Sequence, residues 1–446
     1  MNTRHVFELL QEYESRNITF IEPDGSWPIV WERARGVHVW DAEGRKRLDL
    51  TAAFGVAAAG HANQRVIRAA AAQLARLPHA MGDVHPHAPK AALARELSRL
   101  TFERWSRNLP LRFPARARTD HGKTIFCNAG FEAVEAALKT ATLATGKPGV
   151  VAFEGAYHGL GYGALNATHR SHFRSRFKRQ LGNFGHFIPF PKDSDGEAAL
   201  RKTGQRLDRL LGRGKVGAVL VEPIQVRGGI NIPDIEFLNI LRAACDDHGA
   251  LLIVDEIYTG FGRTGRWFAC EHSATVPDII CLGKALTGGF PLSACVGRGD
   301  IMDAAWPAAT GEAIHTSTFL GHPVGCAMAL AQIREITTGR LAVRSARTGD
   351  WLLRALGKLS GRRGKLTIEA RGLGLLAGIE ITKSGRPATD AAMSIIKSML
   401  RRGFILLPEG EFSNVISFSP PLTITGRQLG AALRALEAAL SEVQDS

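Results

Sequence analysis

The chain has 446 residues, of which 45% are hydrophobic and 22% charged, enough apolar material for one large or two modest globular cores. The N-terminal segment lacks a signal-peptide pattern, and no stretch approaches the roughly 18 apolar residues of a membrane span, so we expect neither secretion nor membrane insertion. Six scattered cysteines without CxxC spacing suit reduced, buried thiols, which predicts a cytoplasmic protein.

The formal net charge of +14 raises the question of a nucleic-acid partner. The densest basic run, residues 170–179, has interleaved aromatics, a pattern that nucleic-acid-binding segments share. However, the basic residues are spread along the whole chain, and no recognition motif accompanies them. We therefore predict a solvated basic surface that attracts anionic small molecules, and no nucleic-acid partner.

The predicted elements begin with a hairpin at 36–50, around a Glu-Gly turn. From about residue 124, short apolar runs alternate with helical patterns, and their continuous hydrophobicity is typical of parallel strands covered on both faces. These runs are 124–127, 150–153, 216–221, 251–254, 279–282 and 293–296. Helices, a strand segment at 371–380 and a closing helix from about Gly426 follow. The order predicts an α/β fold with a large, mainly parallel α/β/α domain (61–330) and a smaller α+β domain built from 1–60 and 331–446.

Two ionisable residues fall at predicted strand ends, where such sheets bind ligands. Asp255 ends one strand, and Lys284 follows the end of another. A strand-end lysine is more often a surface or salt-bridged residue, but partial burial would lower its pKa and favour a neutral amine that condenses with a carbonyl. A lysine with a buried aspartate is the pair that pyridoxal phosphate requires.

The segment Asn128-Ala129-Gly130-Phe131-Glu132 follows a strand and opens an amphipathic helix. The first turn of a helix has free N–H groups that bind phosphate. The alternative is an ordinary strand-to-helix turn. Lys284 itself is not a phosphate-loop lysine, because no GxxxxGK[ST] spacing precedes it.

Several spaced motifs occur together, and with them the chain resembles the class III (omega) pyridoxal-phosphate-dependent aminotransferases from about Gly36 to Leu422. The VDE and GKAL pair at this separation is the most specific part of the resemblance. The motifs are GH (60–61), NAGFEAVEAALKTA (128–141), EGAYHG (154–159), VEPIQ (221–225), VDEIYTGFGRTG (254–265), LGKALTGGFPLSA (282–294), HTSTFLGHP (315–323), RGLGLLAGIE (371–380) and PPLTIT (420–425).

The resemblance implies an aspartate-aminotransferase-type fold (fold type I) and a homodimer with shared active sites. Lys284 would form the Schiff base, and Asp255 would hold the pyridine nitrogen. Thr318 would reach the cofactor phosphate of the neighbouring subunit. The implied reaction moves an amino group from an amine donor to a keto acid, pyruvate or 2-oxoglutarate. The implied cofactor-binding set is Gly130, Phe131, Tyr157, His158, Asp255, Ile257, Lys284 and Thr318.

Some positions depart from the family pattern. Phe131 stands where the family usually has Ser, Thr or Ala, which removes a hydroxyl but keeps the backbone amide. Tyr258 stands where a Gln beside the ring oxygen of the cofactor is frequent. Its phenol could make a similar hydrogen bond to that oxygen, or it could merely pack. Ser417 and Thr142 stand where many members have a carboxylate-binding arginine, so glutamate-like binding at those points is disfavoured.

Glu222 is then left without an assigned cation, so we predict that it faces the substrate together with Tyr258 and Ser417. A free carboxylate there favours a donor with a second amino group, such as a diamine, an omega-amino acid or an amino sugar. The nearby acids Glu409 and Glu411 would add to that preference. The alternative is that another arginine supplies the clamp: Arg227, Arg263 or one within 170–179.

Other activities stay open at this stage. The same machinery could return a proton to the opposite face of the substrate carbon, giving an amino-acid racemase or epimerase, and a decarboxylating variant is formally open. A non-catalytic binding protein is the alternative of another class. The HxH pattern around His79, His85 and His87 suggests a metal, but no further Cys/His cluster completes a ligand set, so we predict no metal and a lining or capping role.

Overall fold

The computed structural model describes residues 1–108 and 119–444. Its strands form three sheets. In chain order they are β1 (Trp31–Arg35), β2 (His38–Asp41), β3 (Lys46–Asp49), β4 (Gly122–Cys127), β5 (Gly149–Phe153), β6 (Gly185–Ile188), β7 (Val216–Val221), β8 (Leu251–Asp255), β9 (Ile279–Leu282), β10 (Ser293–Arg298), β11 (Gly361–Arg363), β12 (Leu366–Leu373), β13 (Leu376–Lys383), β14 (Arg386–Pro387), β15 (Phe404–Ile405), β16 (Leu407–Glu409) and β17 (Val415–Phe418).

Helices cover these sheets. They are α1 (Thr3–Tyr13), α2 (Ala52–Gly55), α3 (Gln64–Arg76), α4 (Ala88–Leu100), α5 (Phe102–Asn108), α6 (Gly130–Thr145), α7 (Tyr162–Leu165), α8 (Ser171–Arg174), α9 (Gly196–Leu211), α10 (Phe237–His248), α11 (Gly299–Ala305), α12 (Pro323–Thr338), α13 (Leu341–Gly357), α14 (Thr389–Arg401) and α15 (Gly426–Gln444).

The largest sheet has seven strands in the order β4-β10-β9-β8-β7-β5-β6. All six predicted runs lie in it, and the strands from β9 to β6 are parallel to one another, which confirms the predicted mainly parallel α/β sheet. β10 runs antiparallel to both of its neighbours and is buried along its whole length. Continuous hydrophobicity therefore reports burial on both faces of a strand, not its direction.

The sequence did not reveal β6, and its position explains why. It pairs only with β5 at the edge of the sheet, and its burial is partial until its last residue, Ile188. A half-exposed edge strand of four residues lacks the apolar run that identified the others.

Helices cover the large sheet on both faces. Alternate residues of β7 show this directly: Ala218 and Leu220 belong to the core beneath α6, whereas Val219 and Val221 belong to the core on the other face. Each of the buried Val and Leu side chains contributes roughly 1.5–3 kcal/mol. The strand ends, and with them the candidate site, are thus fixed by packing on two sides.

The two smaller sheets belong to the terminal parts of the chain. One has the order β1-β2-β3-β15, in which β15 near the C-terminus pairs parallel with β3 near the N-terminus. The other has the order β11-β12-β13-β17-β16, with β14 attached to β13. The predicted smaller domain is present, while its boundaries at 60/61 and 330/331 stay predictions.

The predicted elements outside the large sheet also occur, with one correction. The 36–50 segment is the β2–β3 hairpin, and α15 begins at Gly426 as predicted. The single strand segment at 371–380 is instead a hairpin of β12 and β13. The chain reverses at Gly374, whose φ is +60° and where a Cβ would lie 2.4 Å from the backbone of Thr264.

Two global properties can be checked against the fold. All six cysteines are free and buried, as their scattered positions predict. Within residues 1–108 and 119–444, no helix is long and apolar enough to cross a membrane.

Candidate active site

A cavity of about 440 Å³ opens beside the carboxyl ends of the central strands. It collects every predicted site residue apart from Thr318 and Ser417. The predicted residues that line it are Gly130, Phe131, Tyr157, His158, Glu222, Asp255, Ile257, Tyr258 and Lys284, and the others are Gly159, Leu160, Ile224, Arg227 and Thr259.

Neighbouring parallel strands bring Asp255 and Lys284 to one edge of the sheet. Asp255 is the last residue of β8 and pairs with Cys281 of β9, and the chain leaves β9 one residue before Gly283. Lys284 then adopts a left-handed backbone with φ +43°. This conformation costs an L-residue free energy, and such strained positions cluster at functional sites.

The carboxylate of Asp255 is buried and held from two sides. Its Oδ2 accepts a hydrogen bond from His158 Nδ1 at 2.8 Å, and its Oδ1 accepts one from the Ile257 amide at 3.1 Å. The other ring nitrogen of His158, Nε2, is buried and has no hydrogen-bond partner among the described residues. His158 therefore orients Asp255 rather than reaching across the cavity.

The surroundings of Lys284 favour its action as a nucleophile. Its Nζ lies 3.7 Å from the centroid of the Tyr258 ring. Loss of solvation lowers the pKa of Lys284 to about 8, although the negative charges of Asp255, Glu409 and Glu222 oppose that shift. A lysine with this pKa supplies neutral amine near neutral pH, which condensation with an aldehyde requires.

Tyr258 packs against Lys284, and its hydroxyl is already engaged. The Tyr258 hydroxyl lies 3.2 Å from Ser419 Oγ, and Ser419 Oγ donates to the Thr51 carbonyl at 3.1 Å. Since the Ser419 proton is used on Thr51, the Tyr258 hydroxyl donates to Ser419. A hydroxyl that donates to Ser419 is not available to the ring oxygen of the cofactor, so this arrangement favours packing as the role of Tyr258. Ser419 could not be predicted from the sequence, because a serine before a Pro-Pro pair carries no distinctive signal.

The first turn of α6 forms another part of the cavity wall. The amides of Gly130 and Phe131 belong to this turn, where a helix has no internal carbonyl partner for them. A Cβ at Gly130 would lie 3.1 Å from the Ile257 side chain. Gly159 has φ +113°, and its Cβ would lie 2.2 Å from the Phe131 Cβ. Glycines thus let the first turn of α6 approach its neighbours closely.

The charged residues Glu222 and Arg227 also line the cavity, and Glu409 lies behind Arg227. Glu222 accepts a hydrogen bond from the Tyr157 amide at 2.9 Å, and burial raises the pKa of Glu222 to about 7. The Arg227 guanidinium lies 5.5 Å from the Tyr157 ring centroid and donates from Nη1 to Glu409 Oε2 at 3.2 Å. Burial also raises the pKa of Glu409 to about 7.

Several predicted residues lie elsewhere. Ser417 is buried in β17 and donates to the Leu407 carbonyl at 3.1 Å. Thr318 is exposed on the loop before α12. Thr142 is exposed near the end of α6 and donates to the Leu138 carbonyl, so its identity has no bearing on the cavity.

The histidines at 79–87 have separate surroundings. His87 caps α4 by accepting from the Lys90 amide, and its other nitrogen lies 2.7 Å from the Gly321 carbonyl. His79 stacks edge-on with Phe319, and His85 is exposed. In the described part of the chain no cluster of three or more His, Cys, Asp or Glu residues could hold a metal.

The donor set around the cavity fits pyridoxal phosphate. A desolvated lysine, a buried carboxylate and a helix N-terminus surround one space, and each matches one part of that cofactor: the aldehyde, the ring nitrogen and the phosphate. Tyr157 and Ile257 line the same space, and a flat cofactor ring needs a packing contact on each of its two faces. The fold and this site together define a fold type I pyridoxal-phosphate enzyme.

The chain belongs to the aminotransferase class-III family, whose model matches residues 21–440. It is 35% identical over 422 residues to a 5-aminovalerate aminotransferase of Pseudomonas aeruginosa, covering 93% of this chain and 94% of that one. It is 37% identical over 416 residues to a putrescine aminotransferase of Pectobacterium atrosepticum, covering 92% and 82%.

A solved structure with the same fold is that of ornithine aminotransferase from Toxoplasma gondii, with pyridoxal phosphate at partial occupancy. Its TM-score is 0.82 at 27% identity, covering 99% of this chain and 95% of that one. The predicted family, the fold type, the enzyme class and the cofactor are thereby confirmed. The protein is a pyridoxal-phosphate-dependent class III aminotransferase.

Proposed function

We propose that this aminotransferase takes the terminal amino group of a diamine or omega-amino acid and passes it to a keto acid, pyruvate or 2-oxoglutarate. Glu222 is the observation that carries the proposal. It lines the cavity, is 7% exposed, and among the described residues has the Tyr157 amide rather than a side-chain cation as its hydrogen-bond partner. A buried carboxylate without a counter-ion favours a ligand that brings its own positive charge.

The other acids of the original hypothesis contribute less. Glu409 is paired with Arg227, and the Glu411 side chain is exposed, while its carbonyl accepts from Arg170. The distal ammonium group of a donor would therefore be recognised mainly by Glu222. The relatives that act on 5-aminovalerate and putrescine support a donor of this shape.

The residues of this chain have separable roles in the reaction. When bound, pyridoxal phosphate supplies an electron-withdrawing ring that stabilises the charge left as the substrate carbon loses its proton. Lys284 would hold the cofactor and would afterwards carry that proton on Nζ. Asp255, oriented by His158, would keep the ring nitrogen protonated. The Gly130 and Phe131 amides would bind the phosphate, and Tyr157 and Ile257 would pack against the ring.

A donor panel tests the proposal. We expect kcat/KM for putrescine and 5-aminopentanoate to exceed that for glutamate or alanine by on the order of 10-fold or more, a difference of about 1.4 kcal/mol. Glu222→Gln should lower kcat/KM about 10-fold for putrescine, since a charged hydrogen bond is lost, but much less for butylamine, which lacks the second amine. Plain glutamate or alanine as the best donor would contradict the proposal. Exchange of the substrate proton with no need for a keto acid would indicate a racemase instead.

We further propose a homodimer in which Thr318 contacts the cofactor phosphate of the partner subunit, in a reducing, cytoplasmic setting. Thr318 is exposed and lies outside the cavity of its own chain, and the side chains of Ile314 and Phe319 on the same loop are 76% and 53% exposed. Exposed apolar side chains of this size favour burial by another chain. The free, buried cysteines support the reducing setting.

Replacing Thr318 tests the shared site. Thr318→Ala should weaken pyridoxal-phosphate binding about 10-fold, because one hydrogen bond to a charged phosphate is lost. Ser317→Ala, which removes the adjacent exposed hydroxyl, is the matched control and should bind as the unchanged protein does. Equilibrium dialysis gives the affinity, and light scattering gives the mass of the assembly. Equal affinity in both variants, or a monomer in the active fraction, would contradict the shared site.

A further inference from the structure

We infer that Arg227 binds the carboxylate of the keto-acid acceptor, an assignment that rests on the proposed function. An aminotransferase uses one cavity in turn for an amine and for a keto acid. The cavity wall carries Glu222, which attracts a cationic donor and repels an anionic acceptor, whereas the charge of Asp255 is taken up by the ring nitrogen of the cofactor. A cationic group for the acceptor is therefore required in the same space.

Arg227 is placed to be that group. Of the described residues that line the cavity, it carries the one guanidinium. Its recorded ion pair, with Glu409, uses Nη1 alone. Within the described part of the chain, its Nε and Nη2 donors have no recorded protein partner, and its side chain is 30% exposed. A planar carboxylate binds two such parallel N–H groups well.

The surrounding contacts keep Arg227 in position. Its carbonyl accepts from the Gly410 amide at 3.2 Å, which ties its loop to the residue after Glu409. The same loop is held by Arg371, whose guanidinium donates to the carbonyls of Gly229 and Ile230. The guanidinium above the Tyr157 ring gains a further cation–π contact. Arg227 is thus presented to the cavity from a braced loop.

The other arginines weighed from the sequence do not meet these conditions. Arg263 is 2% exposed and donates to the carbonyls of Leu375 and Pro420. Arg170 lies over the Phe173 ring and donates to the Glu411 carbonyl, outside the cavity lining. The carboxylate site is therefore displaced from the usual arginine position, where Ser417 stands, to the loop after β7.

Separate half-reactions test this inference. Putrescine has no carboxylate, so its conversion of the pyridoxal to the pyridoxamine form should change less than about threefold in Arg227→Gln. With the pyridoxamine form and 2-oxoglutarate, the same variant should show an apparent Kd raised on the order of 10- to 100-fold. Arg227→Lys should recover part of the affinity, since it keeps the charge and loses the fork. Arg170→Gln is the matched control and should leave both half-reactions unchanged.

A binding measurement separates this inference from the proposed function. Calorimetry with glutarate, a dicarboxylate that cannot react, should show the same loss of affinity in Arg227→Gln and the same partial recovery in Arg227→Lys. If no amine reacts with the unchanged protein, the proposed function fails, whereas glutarate binding still reports on Arg227. Unchanged keto-acid and glutarate affinity in Arg227→Gln, or an equal loss in the putrescine half-reaction, would overturn the assignment.

Discussion

Lys284→Ala should lower kcat by on the order of 10⁴-fold or more, because it removes both the amine that holds the cofactor and the group that carries the substrate proton. The covalent link can be measured directly. After borohydride reduction, mass spectrometry should find one cofactor attached to the unchanged protein and none to the variant. Lys139→Ala, which removes an exposed lysine of α6, should keep both the attachment and the activity. Attachment that persists in Lys284→Ala would place the bond on another lysine.

Lys284→Ala should stabilise the cofactor-free protein, so that this substitution lowers activity and raises stability. The pKa of Lys284 in the fold is lowered to about 8 by desolvation, below the usual lysine value. Protonation therefore opposes folding at pH values under about 8, and this penalty fades as the pH rises towards the usual pKa. Removing the amine should raise the unfolding free energy near pH 7 by on the order of 2 kcal/mol. Denaturant titration measures the difference, which should shrink at higher pH.

The sequence could predict the chemical centre because that centre depends on local signals. Asp255 and Lys284 each follow a run of continuous hydrophobicity, and parallel neighbouring strands end at the same edge of a sheet. Gly130 opens a helix with a clear apolar face. In each case the residue and the strand or helix that positions it are only a few residues apart in the sequence.

The contacts around the proposed substrate-binding residues are not local. Arg227 and Glu409 are 182 residues apart and meet only because two sheets come together around the cavity. Ser419 and Tyr258 are 161 residues apart. The sequence suggested that Glu409 attracts a donor, but no spacing rule could reveal its ion pair with Arg227. The role of Thr318 depends on a second chain, so neither the sequence nor one folded chain decides it.

Asp255→Asn should lower kcat by on the order of 10³-fold, which corresponds to about 4 kcal/mol of lost transition-state stabilisation. An amide is neutral, so it cannot hold a positive charge on the ring nitrogen of the cofactor. The replacement also has one acceptor oxygen, whereas His158 and the Ile257 amide now donate to two different oxygens of Asp255. Either one of these contacts is lost or His158 changes tautomer so that its Nδ1 accepts from the new amide nitrogen, so the hydrogen bonds of the side chain change together with its charge.

Glu256, the residue after Asp255, provides a matched control for the effect of altered side-chain hydrogen bonds. Glu256 is also a buried carboxylate, directly after β8, but it is not part of the cavity lining. It accepts from the Cys270 amide at 2.8 Å and from the hydroxyl of Thr259, a residue that does line the cavity. Glu256→Gln should therefore lower the melting temperature and leave kcat within about threefold, because its contacts are structural. Asp255→Asn should lower kcat far more than it lowers stability. Steady-state kinetics and thermal unfolding of both variants distinguish the roles, and similar kcat losses in the two would show that Asp255 acts through the fold alone.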